Sequence, residues 1–205
     1  MKIQPYIYLA SQSPRRRDLL KQIGINFQIL LLRDEPRRIS DVDETPFPNE
    51  IATDYVQRIC RAKALAAWNS VLFRNLPQAP VLAADTIVAL DNTIIGKPRD
   101  RKSAAVILHS LSGRKHQVFS AVAVILHARI ELRLSLTEVT FVELSEERIQ
   151  RYILSNEALD KAGAYGIQGI AGAFVQRIEG SYSGVVGLPL FETAELLQSF
   201  GYPAP

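Results

Sequence analysis

Apolar residues fill Tyr6 to Ala10, recur at Leu19, Leu20 and Ile23 behind Ser13-Pro14, and fill most of Phe27 to Leu32. This order predicts a short buried strand, a helix with Ser13 as N-cap and proline in its first turn, a stop at Gly24, and a second strand. Arg33 to Pro48 is polar, and Pro36, Pro46 and Pro48 exclude regular structure, which predicts a mobile loop. From Asn49, the residues Ile51, Tyr55, Ile59, Ala62 and Ala66 recur every three or four positions. That is the spacing of an amphipathic helix, ending before Pro77, with Arg58, Arg61 and Lys63 on its polar side. Val81 to Leu90 is an apolar run interrupted at Asp85-Thr86, and Asp91-Asn92 turns the chain into a brief return strand ending at Gly96-Lys97-Pro98.

In the second half, Asp100 caps a predicted helix through Leu111, and Val118 to Leu126 and Ile130 to Phe141 read as two long strands. The second alternates at Ile130, Leu132, Leu134 and Leu136 and then shifts phase by one residue to Val139 and Phe141, which predicts a bulge near Thr137 or Glu138. Ser145 caps a further helix to about Ser155, a hairpin is expected across Glu179-Gly180, and a last helix runs from Pro189 to Phe200, closed by Gly201. Strands and helices intermix along the whole length, so the class is α/β with a mixed sheet.

Composition narrows the setting. A chain of 205 residues fits one domain, or two lobes sharing a core, and buries about 70% of the surface its unfolded form exposes. Cys60 is the single cysteine, so no intrachain disulfide forms and a reducing, cytoplasmic compartment is expected. The apolar run at Tyr6 to Ala10 is too short for a signal-peptide core, and no segment approaches the ~18 apolar residues of a membrane span. The net charge of +3 is mild, but Arg15, Arg16 and Arg17 followed by Arg33, Arg37 and Arg38 make the first fifth locally basic. A small anionic ligand explains this as well as a polymer does.

Three groups of residues carry candidate chemistry. A helix N-terminus holds partial positive charge and repels cations by ~0.3–1 kcal/mol each, so the arginines of Ser11-Gln-Ser-Pro-Arg-Arg-Arg17 are misplaced unless an anion sits there. A polyphosphate would reverse the penalty, cradled by backbone N–H groups and the Ser11 and Ser13 hydroxyls and clamped by Arg15 or Arg16; a solvated basic turn is the plainer alternative. Asp85 interrupts a buried run, where a carboxylate must be paired, protonated or metal-bound. It suits either a hard divalent cation or the acceptance of a proton from an attacking water, unless it merely caps a neighbouring turn. Lys63 and Lys97 are the remaining cations for phosphate, Thr86 adds a hydroxyl, and Glu35 is a candidate second metal ligand.

The third group is Asp160-Lys-Ala-Gly-Ala-Tyr-Gly-Ile-Gln-Gly169, followed by Gly172 and by Gly180 to Leu190. Glycine weakens helices and strands, so Gly163, Gly166, Gly169 and Gly172 imply close approach or positive φ. Several familiar sites are excluded by spacing. There is no Gly-x-x-x-x-Gly-Lys-Ser/Thr phosphate loop and no Gly-x-Ser-x-Gly elbow, and His109, His116 and His127 lack metal-ligand spacing. Cys60 reads as a packing residue rather than a nucleophile.

With those residues assembled, the sequence resembles the Maf-like nucleoside triphosphate pyrophosphatases over nearly its whole length. The resemblance is carried by Ser11-x-Ser-Pro-Arg-Arg16, Ala83-Ala-Asp-Thr86, Gly96-Lys-Pro98, Asp160 to Gly169, and Ser181-Tyr-x-x-Val-Val-Gly-Leu-Pro189, in that order. It implies a central mixed sheet flanked by helices, two lobes around a cleft, and hydrolysis of a nucleoside triphosphate to monophosphate and pyrophosphate. Under it, Asp85 is the proton acceptor, Arg15, Thr86 and Gln168 set base preference, and Arg16, Glu35, Lys63 and Lys97 surround the phosphates and a magnesium or manganese ion. The late motif looks like the branch acting on dTTP and UTP. A glutamine amide matches the N3–H and O4 of uracil or thymine and mismatches cytosine. A second copy of the chain is admitted as a partner, whereas nucleic acid and membrane are not expected. The rival reading is a non-catalytic regulator of cell division that binds nucleotide or nucleic acid through the Arg15 to Arg17 turn; it needs no Asp85 and would bind polymer with a steep salt dependence.

Overall fold

A computed structural model describes residues 5–32 and 42–205. Strands β1 (Ile7–Leu9), β2 (Phe27–Ile29), β3 (Val81–Leu90), β4 (Thr93–Ile95), β5 (Lys115–Leu126), β6 (Arg129–Phe141) and β7 (Val175–Glu179) form one sheet. Its order is β2-β1-β3-β5-β6-β7, with β4 paired to β3 off that path. β1 runs parallel to β2 and β3, and the remaining pairs are antiparallel, so the sheet is mixed as the pattern predicts.

Helix α2 (Ala52–Phe73) covers one face. Its Val56, Ile59, Cys60, Ala64 and Val71 pack with Tyr8, Ala83, Ile87, Phe119 and Ala121 of the strands. The opposite face is covered in two parts. At the β1 end, α1 (Pro14–Gln22) and α6 (Leu190–Ser199) bury Leu19, Leu20, Leu196 and Leu197 against Leu9, Leu82 and Val122. At the far end, α3 (Arg101–Leu111) and α4 (Glu146–Leu154) bury Leu108, Leu111, Ile149 and Tyr152 against Val88, Val118 and Phe141. Asp100 and Ser145 cap their helices as expected, Asp100 in a reciprocal box with Ser103.

Two local expectations are overturned. No bulge interrupts β6 at Thr137 or Glu138: its register with β5 is continuous from Lys115↔Thr140 to Leu126↔Arg129, and the shift lies at Thr140/Phe141 against β7. The one-residue change of phase marks a change of the face that is buried. Ile130, Leu132 and Leu134 pack toward α2, whereas Val139 and Phe141 on the other face pack under α3 and α4. Nor does Glu179-Gly180 turn a hairpin, because β7 pairs back with β6 and the chain beyond Gly180 enters a short helix, α5 (Tyr182–Val186). The Ser181 hydroxyl accepts from Gly184 N–H there, and Thr137 Oγ1 accepts from Ser181 N–H, so the backbone donors that a hairpin would use are spent on the helix start. The expected mobile loop lies partly outside the described residues, at 33–41. Residues 42–48 have no helix or strand, as the prolines predict, but are fastened to α2.

Candidate active site

β1 pairs with β3 at Tyr8↔Val81 and Leu9↔Leu82, and β4 pairs with it from Val88 to Leu90. Between these stretches the edge of β3 at Asp85 and Thr86 has no strand beside it among the described residues, and a cavity of about 790 Å³ opens there. Side chains alternate along a strand. Asp85 therefore projects to the face that α2 covers, and Thr86 to the face of α1 and α5. Ser11, Ser13, Arg15, Arg16, Lys63, Asp85, Thr86, Lys97 and Gln168 all line this one cavity. Arg17 does not. Glu35 lies outside the described residues.

Asp85 is buried, and its Oδ1 accepts a hydrogen bond from Lys63 Nζ at 2.6 Å. The same ammonium stands 2.8 Å from Glu44 Oε1. Burial alone would depress the Lys63 pKa, but the two carboxylates outweigh it and hold the amine above its ordinary value, so it remains charged. Glu44 owes its place to α2. Tyr55 Oη donates to the Glu44 carbonyl at 2.8 Å, and Arg58 grips Glu50 through Nε and Nη2 while Nη2 also donates to the Thr45 carbonyl.

The first turn of α1 carries no acidic residue, and Ser13, in the N-cap position, forms no side-chain cap. Instead Ser11 Oγ accepts from Ser13 N–H at 3.2 Å and from Arg16 Nη1 at 3.3 Å. Arg16 Nε donates to the Gly187 carbonyl at 2.8 Å, which ties α1 to the end of α5. Burial lowers the Arg16 pKa, opposed chiefly by the Asp85 charge. Thr86 Oγ1 stands 3.3 Å from the same Gly187 carbonyl and 3.0 Å from Ser120 Oγ, whose own hydrogen goes to the Gly184 carbonyl at 2.6 Å. Arg15 reaches across the mouth to Asp160 at 3.5 Å.

The glycines of the late motif are explained by close approach. Gly163 has φ +71°, and a Cβ there would lie 2.9 Å from Val88 Cγ2 on β3. Gly166, Gly169 and Gly172 have no positive φ, but their Cβ positions are occupied by Lys161, by the Glu157 carboxylate and by the Ile167 carbonyl. Gln168 is exposed at the tip of the turn closed by Gly169 N–H on the Gly166 carbonyl, and its amide makes no hydrogen bond among the described residues. Lys97 is likewise exposed at the rim.

Sequence reasoning missed Glu44, Asp160, Lys161 and Glu157, all of which line the cavity. Asp160, Lys161 and Glu157 stand in or beside the quoted motif, where their charge among glycines is a signal; Glu44 in its polar loop gives none. Among the described residues no three His, Cys, Asp or Glu side chains gather as a ligand set. The donors that do fit a hard divalent cation are the Asp85 and Glu44 carboxylates, two oxygen ligands already converging on one ammonium. Cys60 is fully buried and donates its S–H toward the Ala83 carbonyl, and burial pushes its thiol to about 12, as befits a packing residue.

Known proteins share this arrangement of sequence. The Maf-like protein family model matches residues 6–200. The dTTP/UTP pyrophosphatase of Nitrosomonas europaea is 57% identical over 195 residues, covering 95% of this chain and 94% of the relative. Those of Aromatoleum aromaticum and Dechloromonas aromatica are each 52% identical, covering 98% and 96% of this chain and 98% of each relative. The chain belongs to the Maf-like protein family.

Proposed function

We propose that the chain hydrolyses dTTP and UTP to the nucleoside monophosphate and pyrophosphate, clearing such nucleotides from the cytoplasmic pool. The observation that carries this reading is the convergence of Asp85, Lys63, Arg15, Arg16, Lys97 and Gln168 on one cavity, joined to the 52–57% identity with enzymes named for that activity.

The triphosphate lies along the basic side of the cavity. Arg15 and Arg16 at the α1 N-terminus, with Lys63 and Lys97, offset its charge, and Ser11 and Ser13 supply hydroxyls. Lys63 occupies Asp85 Oδ1, and no further hydrogen bond to that carboxylate forms among the described residues. The other oxygen is therefore available to accept a proton from a water attacking the α-phosphorus. The bond from that phosphorus to the α–β bridging oxygen breaks, and pyrophosphate leaves. A magnesium or manganese ion held by Asp85 and Glu44 would neutralise phosphate charge. Glu44 joins Asp85 because it also meets Lys63; Glu35, the expected second ligand, lies outside the described residues. The Gln168 amide reads the uracil or thymine edge, and Arg15 and Thr86 shape the pocket around it.

The deciding assay incubates purified protein with each nucleoside triphosphate and a divalent metal and identifies the products. Monophosphate plus pyrophosphate from dTTP and UTP is expected; diphosphate plus phosphate, or no turnover, overturns the reading. Asp85→Asn should abolish turnover with the fold retained, and near-normal activity in that variant would remove Asp85 from its role.

A further inference from the structure

The turn Gly166 to Gly169, which presents Gln168, is held from beneath by residues that the reaction does not use. Tyr152 Oη accepts from Gly166 N–H at 3.3 Å, anchoring the start of the turn. At its end, Glu157 Oε2 accepts from Ile170 N–H at 3.1 Å, and Oε1 lies 3.5 Å from the same nitrogen. Both oxygens are thus directed at one backbone donor, two residues after Gln168. The bare Cα of Gly169 is what admits this carboxylate, since a Cβ there would stand 2.7 Å from Glu157 Cδ. Lys161 adds a second constraint. Its Nζ donates to the Glu157 carbonyl and to Asp160 Oδ1, each at 2.6 Å, and its stem passes where a Gly166 Cβ would be.

We propose that Glu157 is a positioning residue for base discrimination: its carboxylate fixes the Gly166 to Ile170 backbone, and thereby the direction in which the Gln168 amide faces the base. The inference rests on Gln168 reading the base as set out above. An amide that discriminates by a paired donor and acceptor needs its plane held, because a misaligned hydrogen bond weakens steeply with angle. An exposed glutamine on a glycine-flanked turn has no such order of its own, and the Glu157 contact supplies it.

The test compares kcat/KM for dTTP and dCTP in the unmodified protein and in Glu157→Gln, Glu157→Ala, Gly169→Ala and Gln168→Ala. Glu157→Gln keeps an oxygen acceptor for Ile170 N–H and should retain the preference. Glu157→Ala removes the acceptor. Gly169→Ala, at a backbone φ of −104°, pushes the carboxylate away without deleting it. Both should narrow the dTTP to dCTP ratio by about tenfold, the equivalent of one hydrogen bond to the base. The double variant Glu157→Ala/Gln168→Ala should narrow it no further than Gln168→Ala alone. A merely structural role would lower both substrates together and leave the ratio intact. Amide hydrogen exchange at Ile170 gives a readout free of turnover, faster in Glu157→Ala and unchanged in Gln168→Ala.

A ratio that collapses in Gln168→Ala but holds in Glu157→Ala overturns the proposal alone. Additive narrowing in the double variant overturns it too, as does Ile170 exchange indifferent to Glu157. An unchanged ratio in Gln168→Ala would instead remove the base-reading role itself, and with it this inference.

Discussion

Lys63 is the residue on which the site's electrostatics turn, because one largely buried ammonium serves both the buried Asp85 and the half-exposed Glu44. Removing one partner of a buried pair leaves the other charge uncompensated, and that is more costly than losing the pair together. Lys63→Met should therefore lower stability by about 3 kcal/mol, read from the denaturant midpoint, whereas the double variant Lys63→Met/Asp85→Asn should recover part of that loss. Full additivity of the two substitutions would mean that Arg16, not Lys63, neutralises Asp85. The sequence exposed Asp85 and Lys63 by different signals. Asp85 was legible because a carboxylate inside an apolar strand is costly, whereas Lys63 on a polar helix face became specific only through the family resemblance. Glu44 was not legible at all: in sequence it stands among other acids, and nothing local marks it as the one whose loop Tyr55 of α2 fastens at the cavity.

At the level of elements, short strands and helix ends place the chemistry. β1 ends after three residues and β4 begins late, so β3 is left with a bare edge where the cavity forms. Strand lengths of this kind are visible in the sequence, but the pairing that leaves the gap is not. The same limit explains β6. Its pattern gave the correct strand and the wrong cause, since periodicity reports which face is buried and cannot tell a bulge from a change of covering helices. The missed α5 has a clearer consequence. The chain enters it through Gly180, where φ is +132° and a Cβ would lie 2.7 Å from Thr137 Oγ1 and 2.9 Å from the Leu136 carbonyl. Its C-cap is Gly187, whose carbonyl holds Arg16 and faces Thr86. Gly180→Ala should cost about 1–3 kcal/mol of stability, of order 5 °C in Tm. It should also raise KM for nucleotide by displacing the Arg16 anchor. A variant with an unshifted Tm would show that the β7 to α5 junction can relax around a methyl group.

Across the whole molecule, the far end of the sheet links stability to acidity through His116. Its ring packs edge-on against Phe141 and Tyr165, and Nε2 stands 2.9 Å from Tyr165 Oη. The buried Nδ1 has no partner among the described residues. An imidazolium needs an acceptor at each nitrogen, so burial pushes the His116 pKa from 6.5 down to about 4. In the unfolded chain the ring takes up its proton below about pH 6.5, while in the native state it stays neutral until about pH 4. The unfolded state therefore binds more protons across that window, and stability falls as pH drops through it, by ~1.4 kcal/mol per unit. Above pH 6.5 the contribution is constant. The carboxylates whose native pKa values are depressed, Asp43, Glu50, Asp100 and Asp160, start from ordinary values of 3.8 to 4.5 and act mainly at the acid end. Urea unfolding at pH 7.5 and pH 5.0 should consequently differ by about 2 kcal/mol from His116 alone. His116→Phe, which fits the same aromatic cluster and cannot titrate, should remove that difference while losing the bond to Tyr165. A pH slope of stability that survives the substitution would assign the acid sensitivity to the carboxylates instead.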